Sequence, residues 1–161
     1  MKKNVMRWLA GTVLATGLVA GGAAQAGDRI HERLTGERLQ GIMQDLGYRA
    51  QLGVDDAGDP MIDSTASGYK YRVLFYDCDG KRGCGALEFW AGFDTEDEGD
   101  LARMNEWNLN KRFGRAYIDE EGDPIVSIHY NLAGGVTEAN IEDMFEWWEL
   151  VIAEFATHVG F

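Results

Sequence analysis

Two cysteines, Cys78 and Cys84, constrain this chain more than any other feature, because they sit between the strand-like runs YKYRVLFYDC (69–78) and CGALEFWAGF (84–93). If Cys78 opposes Cys84 across an antiparallel hairpin, Phe75 faces Leu87, Val73 faces Phe89, Tyr71 faces Ala91 and Tyr69 faces Phe93. Every pair on that face is apolar or aromatic. The opposite face pairs Arg72 with Trp90 and Leu74 with Glu88, with Arg72 diagonal to Glu88. Side chains alternate along a strand, so a slip of one residue would mix the two sets; the pattern selects this register.

What the two sulfurs do depends on the compartment. The chain begins with the basic MKKNVMR, continues with the apolar, small-residue WLAGTVLATGLVAGGAA and closes on AQA at Ala26. That is the three-part pattern of a bacterial secretory signal cut before Gly27. No cysteine stands at the cut to carry a lipid, so residues 27–161 are expected to be soluble, periplasmic or secreted, with no membrane contact after cleavage. A redox pair usually has the spacing C-x-x-C at a helix start, whereas here five residues separate the cysteines on a hairpin. Zinc needs about four nitrogen or sulfur ligands, and no histidine is near in sequence. The expectation is a disulfide between Cys78 and Cys84, worth about 2 to 2.5 kcal/mol on the chain-entropy model.

Charge narrows the partners. The whole chain carries −12, and losing residues 1–26 removes Lys2, Lys3 and Arg7 but no acid, leaving −15. Such a surface repels phosphate backbones and anionic lipids, which excludes nucleic acid as a partner and favours cationic ones.

Residues 27–34 read as a loose lead-in. Leu39, Ile42, Met43 and Leu46 then recur at helical spacing, with Thr35 to cap the start and Gly47 to end it. Strand signals follow in YRAQLGV, PMIDSTAS and the cysteine hairpin. Thr95 with Glu98 three residues on predicts a capped helix whose inner side carries Leu101, Met104 and Trp107. A second hairpin, RFGRAYID and PIVSIHYNL, is predicted with Asp119 opposite Pro124, so that Tyr117 faces Val126 and Phe113 faces Tyr130. From Thr137 a long helix runs to about Val159; Trp147, Leu150 and Val151 widen its apolar arc, which reads first as core and alternatively as a homodimer interface. The sum is one α+β domain over residues 35–161, an antiparallel sheet with helices packed against it.

The segments VDDAGDPMI (54–62) and IDEEGDPIV (118–126) are near copies, read as one turn chemistry used twice. His31, His129 and His158 do not assemble visibly, and the nearest approach to a dyad is Ser127 with His129 on one strand face. Asp94, Glu96 and Glu98 match the first positions of a calcium loop, but position 12 is Asn105. The turns at Asp55–Asp59 and Glu120–Asp123 offer weaker calcium candidates. No catalytic residue, metal ligand set or cofactor is expected.

Along MNEWNLNKRFGRAYIDEEGDPIVSIHYNL the order of Asn105, Trp107, Asn108, Arg112, Phe113, Ala116, Tyr117, Asp119, Gly122 and Asp123 resembles the YbjN-domain family, and the likeness extends over about residues 35–159. The resemblance implies a fold similar to type III secretion chaperones, ordered helix, three strands, helix, two strands, helix. It also implies a role in sensory transduction regulation without enzymatic activity. Chaperones of that fold are cytosolic dimers that bind extended segments, and a signal peptide departs from that picture. The leading expectation is a non-enzymatic binding module for a peptide or protein, with Trp107, Asn108, Arg112, Arg115 and Trp147 as contact residues. Asn105 and Asn108 suit either an extended ligand backbone or a tie from helix to hairpin. The alternatives are a small metal-dependent hydrolase using the acidic loops and His129, or an acidic inhibitor of a cationic secreted enzyme.

Overall fold

The structure is a computed structural model that describes residues 29–95 and 99–161; the signal-like segment 1–26, Glu96 and Glu98 lie outside them. A two-residue strand β1 (Ile30–His31) leads into helix α1 (Gly36–Asp45). The Thr35 hydroxyl accepts from the Arg38 N–H, and Gly47, at φ 89°, turns the chain out of the helix. Leu39, Ile42 and Met43 face inward at the predicted spacing.

Four strands follow: β2 (Gln51–Val54), β3 (Pro60–Ala66), β4 (Tyr69–Cys78) and β5 (Cys84–Gly92). Both YRAQLGV and PMIDSTAS therefore contribute a strand, one more than the order implied by the family resemblance. Cys78 pairs with Cys84 in the β4–β5 ladder and is disulfide-bonded to it, with Arg72–Trp90, Val73–Phe89, Leu74–Glu88 and Phe75–Leu87 following in the predicted register. After α2 (Leu101–Asn110) come β6 (Arg115–Ile118), β7 (Pro124–Asn131), a short β8 (Val136–Thr137) and the long α3 (Glu138–Val159). The main sheet is antiparallel in the order β2-β3-β4-β5-β7-β6, while β1 pairs with β8.

The helices cover one face of this sheet. Phe89 lies at its centre, with ring centroids 5.0 Å from Phe145, 5.7 Å from Trp148 and 5.3 Å from Tyr130. Ile62, Val73, Val126 and Ile128 join the same buried cluster. The opposite face, with Arg72, Glu88, Trp90, Ser127, His129, Arg115 and Tyr117, carries no helix; alternation alone sends these residues there once the register is set.

Two expectations change. The β6–β7 register is one residue off the prediction: Ile118 pairs with Pro124 and Tyr117 with Ile125, so Tyr117 lies on the open face and Phe113 is outside the strand. The turn is the cause. Asp119 N–H and Asp123 C=O are 3.1 Å apart, Asp119 Oδ1 accepts from the N–H groups of Glu121 and Asp123, and Gly122 takes φ 94°. That is a three-residue loop closed by a left-handed glycine. Asp55–Asp59 repeats it bond for bond, with Val54 paired to Pro60, so the echo in the sequence is one turn used twice. Second, α2 starts at Leu101, where Asp100 caps the Ala102 N–H, because Gly99 N–H is engaged by Gly122 C=O and holds the preceding chain against the turn.

The lead-in is tied down from Ile30 onward. Leu34 exchanges both backbone hydrogen bonds with Cys84, at 3.0 and 2.8 Å, and is buried. His31 Nε2 lies 3.0 Å from Glu138 Oε1 at the start of α3, and Arg38 and Arg29 reach the same oxygen. Burial alone pushes Glu138 up, but the His31 hydrogen bond and the two guanidiniums outweigh it and hold its carboxyl below the ordinary 4.5. A lowered carboxylate stabilises the fold above its unfolded value and loses that contribution as pH falls through its folded value. In thermal melts, Glu138→Gln is therefore expected to lower the midpoint near neutral pH, and the gap from wild type to close as pH drops below 4.5. A gap that persists in acid would assign the effect to packing.

Candidate functional site

The end of α2 builds a surface feature through one glycine. Trp107 is 1% exposed, and its Nε1 donates to Gly114 C=O at 2.8 Å. Gly114, at φ 85°, has no room for a side chain: a Cβ would stand 2.9 Å from a Val151 methyl and 3.0 Å from a Val126 methyl. The chain reverses there and leaves Phe113 pointing outward, where its ring meets Trp147 on α3 at 4.6 Å between centroids. Trp147 remains 41% and Leu150 58% exposed. Lys111, Arg112, Phe113, Trp147, Leu150 and Glu154 border a cleft of about 200 Å³ floored by Trp107 and Val151. Lys111 is tied by an ion pair of 2.9 Å to Glu154, with its ammonium 5.5 Å from the centre of the Trp107 ring.

Of the five residues singled out in the sequence, Arg112 and Trp147 thus share the rim of one cleft and Trp107 lies under it. Asn108 turns the other way. Its carboxamide donates to Ala116 C=O and accepts from Ala116 N–H, both at 2.9 Å, which ties α2 to the outer strand β6. Arg115 projects onto the open sheet face, so the structure does not bring it to the others.

On that face a second group converges that the sequence alone does not reveal. Glu88 has a side chain only 6% exposed, although no helix covers it. Tyr76 donates its hydroxyl to Glu88 Oε2 at 2.9 Å, His129 Nε2 lies 3.4 Å away, and an Arg115 guanidinium nitrogen 3.7 Å. Arg115 also lies 4.8 Å over the Tyr117 ring and 3.4 Å from Ser127 Oγ. Burial, and then the hydrogen bond and charge of Glu88, push the Tyr76 phenol up to about 12, so it stays a donor across the physiological range. The expected partner of Glu88, Arg72, pairs instead with Asp63 at 3.2 Å. The group reads as a buried carboxylate met by a phenol, an imidazole and a guanidinium. Ser127 is 1% exposed and accepts from Arg115, whereas His129 turns to Glu88.

Among the described residues, the carboxylates of Asp119, Glu121 and Asp123 come within 4.8 Å of one another and are the set best placed to hold a cation. The Asp123 carboxyl is held above its ordinary value by desolvation and by the charges of Asp119 and Asp94. Asp119 Oδ1 already serves the turn. Of the calcium-loop candidates, Asp94 is exposed, and Glu96 and Glu98 lie outside the described residues.

Fold and surface together define an α+β domain with a sheet open on one face and an exposed aromatic cleft on its helical side. The chain belongs to the YbjN family, whose model, described as "Putative bacterial sensory transduction regulator", matches residues 35–161. No curated protein and no solved structure matches the chain.

Proposed function

We propose that this protein is a non-enzymatic regulatory module that acts in the periplasm or outside the cell and recognises a protein or peptide through the Phe113–Trp147–Leu150 surface. The observation that carries the reading is the pair of solvent-exposed aromatic rings, in contact at an interplanar angle of 48°, beside an exposed leucine. Apolar surface of this kind gains about 25 cal/mol per Å² when covered, and tryptophan anchors dominate many interfaces. Arg112 at the rim supplies a cation for orientation, while Trp107 and Gly114 hold the floor rigid. Residues 1–26 and the disulfide support export, since that bond persists in an oxidising compartment.

The test is capture from a periplasmic extract with residues 27–161 as bait, wild type beside Trp147→Ala. Proteins retained by wild type and lost from the variant are the expected result. An identical set on both, or nothing retained by either at low salt, overturns the reading. A mature N-terminus other than Gly27, or recovery in the cytoplasm, would overturn its location.

A further inference from the structure

The Trp147 surface is also charged, and the helix sets the pattern. Side chains three, four and seven apart share one side of a helix. On α3 this places Asp143, Glu146, Leu150 and Glu154 in one row along the solvent side, with Trp147 beside it. All five are exposed. The row from Asp143 to Glu154, twelve residues and eleven helical steps, spans about 16 Å, close to three helical turns. Opposing cations are few: Lys111 is already spent on Glu154, which leaves Arg112 at one end. The whole chain, at −12, adds a long-range field of the same sign.

From this we infer that the occupant of the surface is a cationic amphipathic helix of another protein. Its apolar side would cover Trp147, Leu150 and Phe113, and its lysines or arginines would lie against Asp143 and Glu146. The inference rests on the reading of this surface as a protein-binding site and adds the partner's chemistry to it. Charge argues against the other occupants. A second copy would bring its own acidic row against this one, and an anionic lipid surface would meet the same repulsion. An apolar helix without cations would leave Asp143 and Glu146 beside the contact without partners.

Two synthetic helical peptides of equal length test this, one built of leucine and lysine and one of leucine and glutamate, titrated into residues 27–161 by calorimetry. The lysine peptide is expected to bind and to weaken as salt rises, because exposed charges are screened. Trp147→Ala should weaken it by about tenfold or more, as the loss of an aromatic anchor does. Asp143→Lys with Glu146→Lys, both at exposed positions, should weaken it comparably while leaving the melting temperature near wild type. Equal binding of the glutamate peptide overturns the inference. So does a lysine peptide indifferent to both variants, which would mark diffuse attraction to an acidic protein. A dimer in sedimentation that Trp147→Ala dissociates would assign the surface to a second copy. If extract capture is lost in Trp147→Ala but survives the double charge reversal, the binding surface stands and only the cationic class of partner falls.

Discussion

Trp107→Ala is expected to cost about 3 to 5 kcal/mol and to lower the melting temperature on the order of 10 to 20 °C, whereas Trp147→Ala should stay within about 1 kcal/mol of wild type. The two tryptophans lie on neighbouring helices and look alike in the sequence, yet one is a structural pin and the other a surface ring. Trp107 packs edge-on against Phe155 at 5.0 Å, lies beside His158 at 5.5 Å and donates to Gly114. Removing it opens a cavity under the cleft and also leaves the half-buried Gly114 carbonyl without its donor. Trp107→Phe separates the two effects, since it keeps most of the packing and loses the hydrogen bond. Thermal melts of all three variants make the check, and a Trp107→Ala protein as stable as Trp147→Ala would show that the indole does not hold the helix end.

Breaking the disulfide should do more than release loop entropy. Cys84→Ser is expected to cost about 2 to 2.5 kcal/mol on the chain-entropy model. It should also free the chain around Arg33, because the hairpin tip is where residues 33–35 dock. Arg33 donates to Gly83 C=O at 3.0 Å and pairs with Asp77 at 3.1 Å. Gly83 lies so close that a Cβ there would stand 2.6 Å from the Leu34 carbonyl. Tryptic cleavage at Arg33 should therefore accelerate by about tenfold when the bond is lost, as it does when a segment opens locally. Gly83→Ala should produce the same acceleration with the disulfide intact, since it blocks the dock and leaves the loop closed. If reduction leaves Arg33 as resistant as before, the β1–β8 pairing and the His31–Glu138 contact alone hold the segment.

The β4–β5 register was legible because alternation there is strict: one face is apolar from Tyr69 to Phe93 and the other is not. In the β6–β7 pair, Ala116, Tyr117 and Ile118 face Val126, Ile125 and Pro124 in turn, and such apolar or aromatic residues on both strands carry no alternation to choose between two registers. Only the turn could decide. Its first copy at Asp55–Asp59 uses the same left-handed glycine and the same register, so the repeat held the answer that the strand pattern lacked. The docking of residues 29–34 was illegible for another reason: its partners are Cys84 and Glu138, far along the chain, and backbone pairing leaves no mark on composition. The Glu88 group draws Tyr76, Arg115 and His129 from three different strands, and nothing in the sequence states that β5 lies beside β7. At the cleft, helical spacing already put Trp107 inward, but the meeting of Phe113 with Trp147 depends on the reversal at Gly114.

The grip of Asn108 on Ala116 sets a limit on growth. A sheet with two bare margins can propagate into a polymer, each molecule extending the last; a sheet with one bare margin cannot. Here the β6 margin is interrupted at Ala116, whose N–H and C=O are both filled by the Asn108 carboxamide. Within the main sheet, the uninterrupted margin is β2 at the far side. Two molecules joined there would present only margins interrupted at Ala116, which disfavours extending the series beyond a pair. In a protein with an exposed aromatic surface, one asparagine thus narrows a route to fibres.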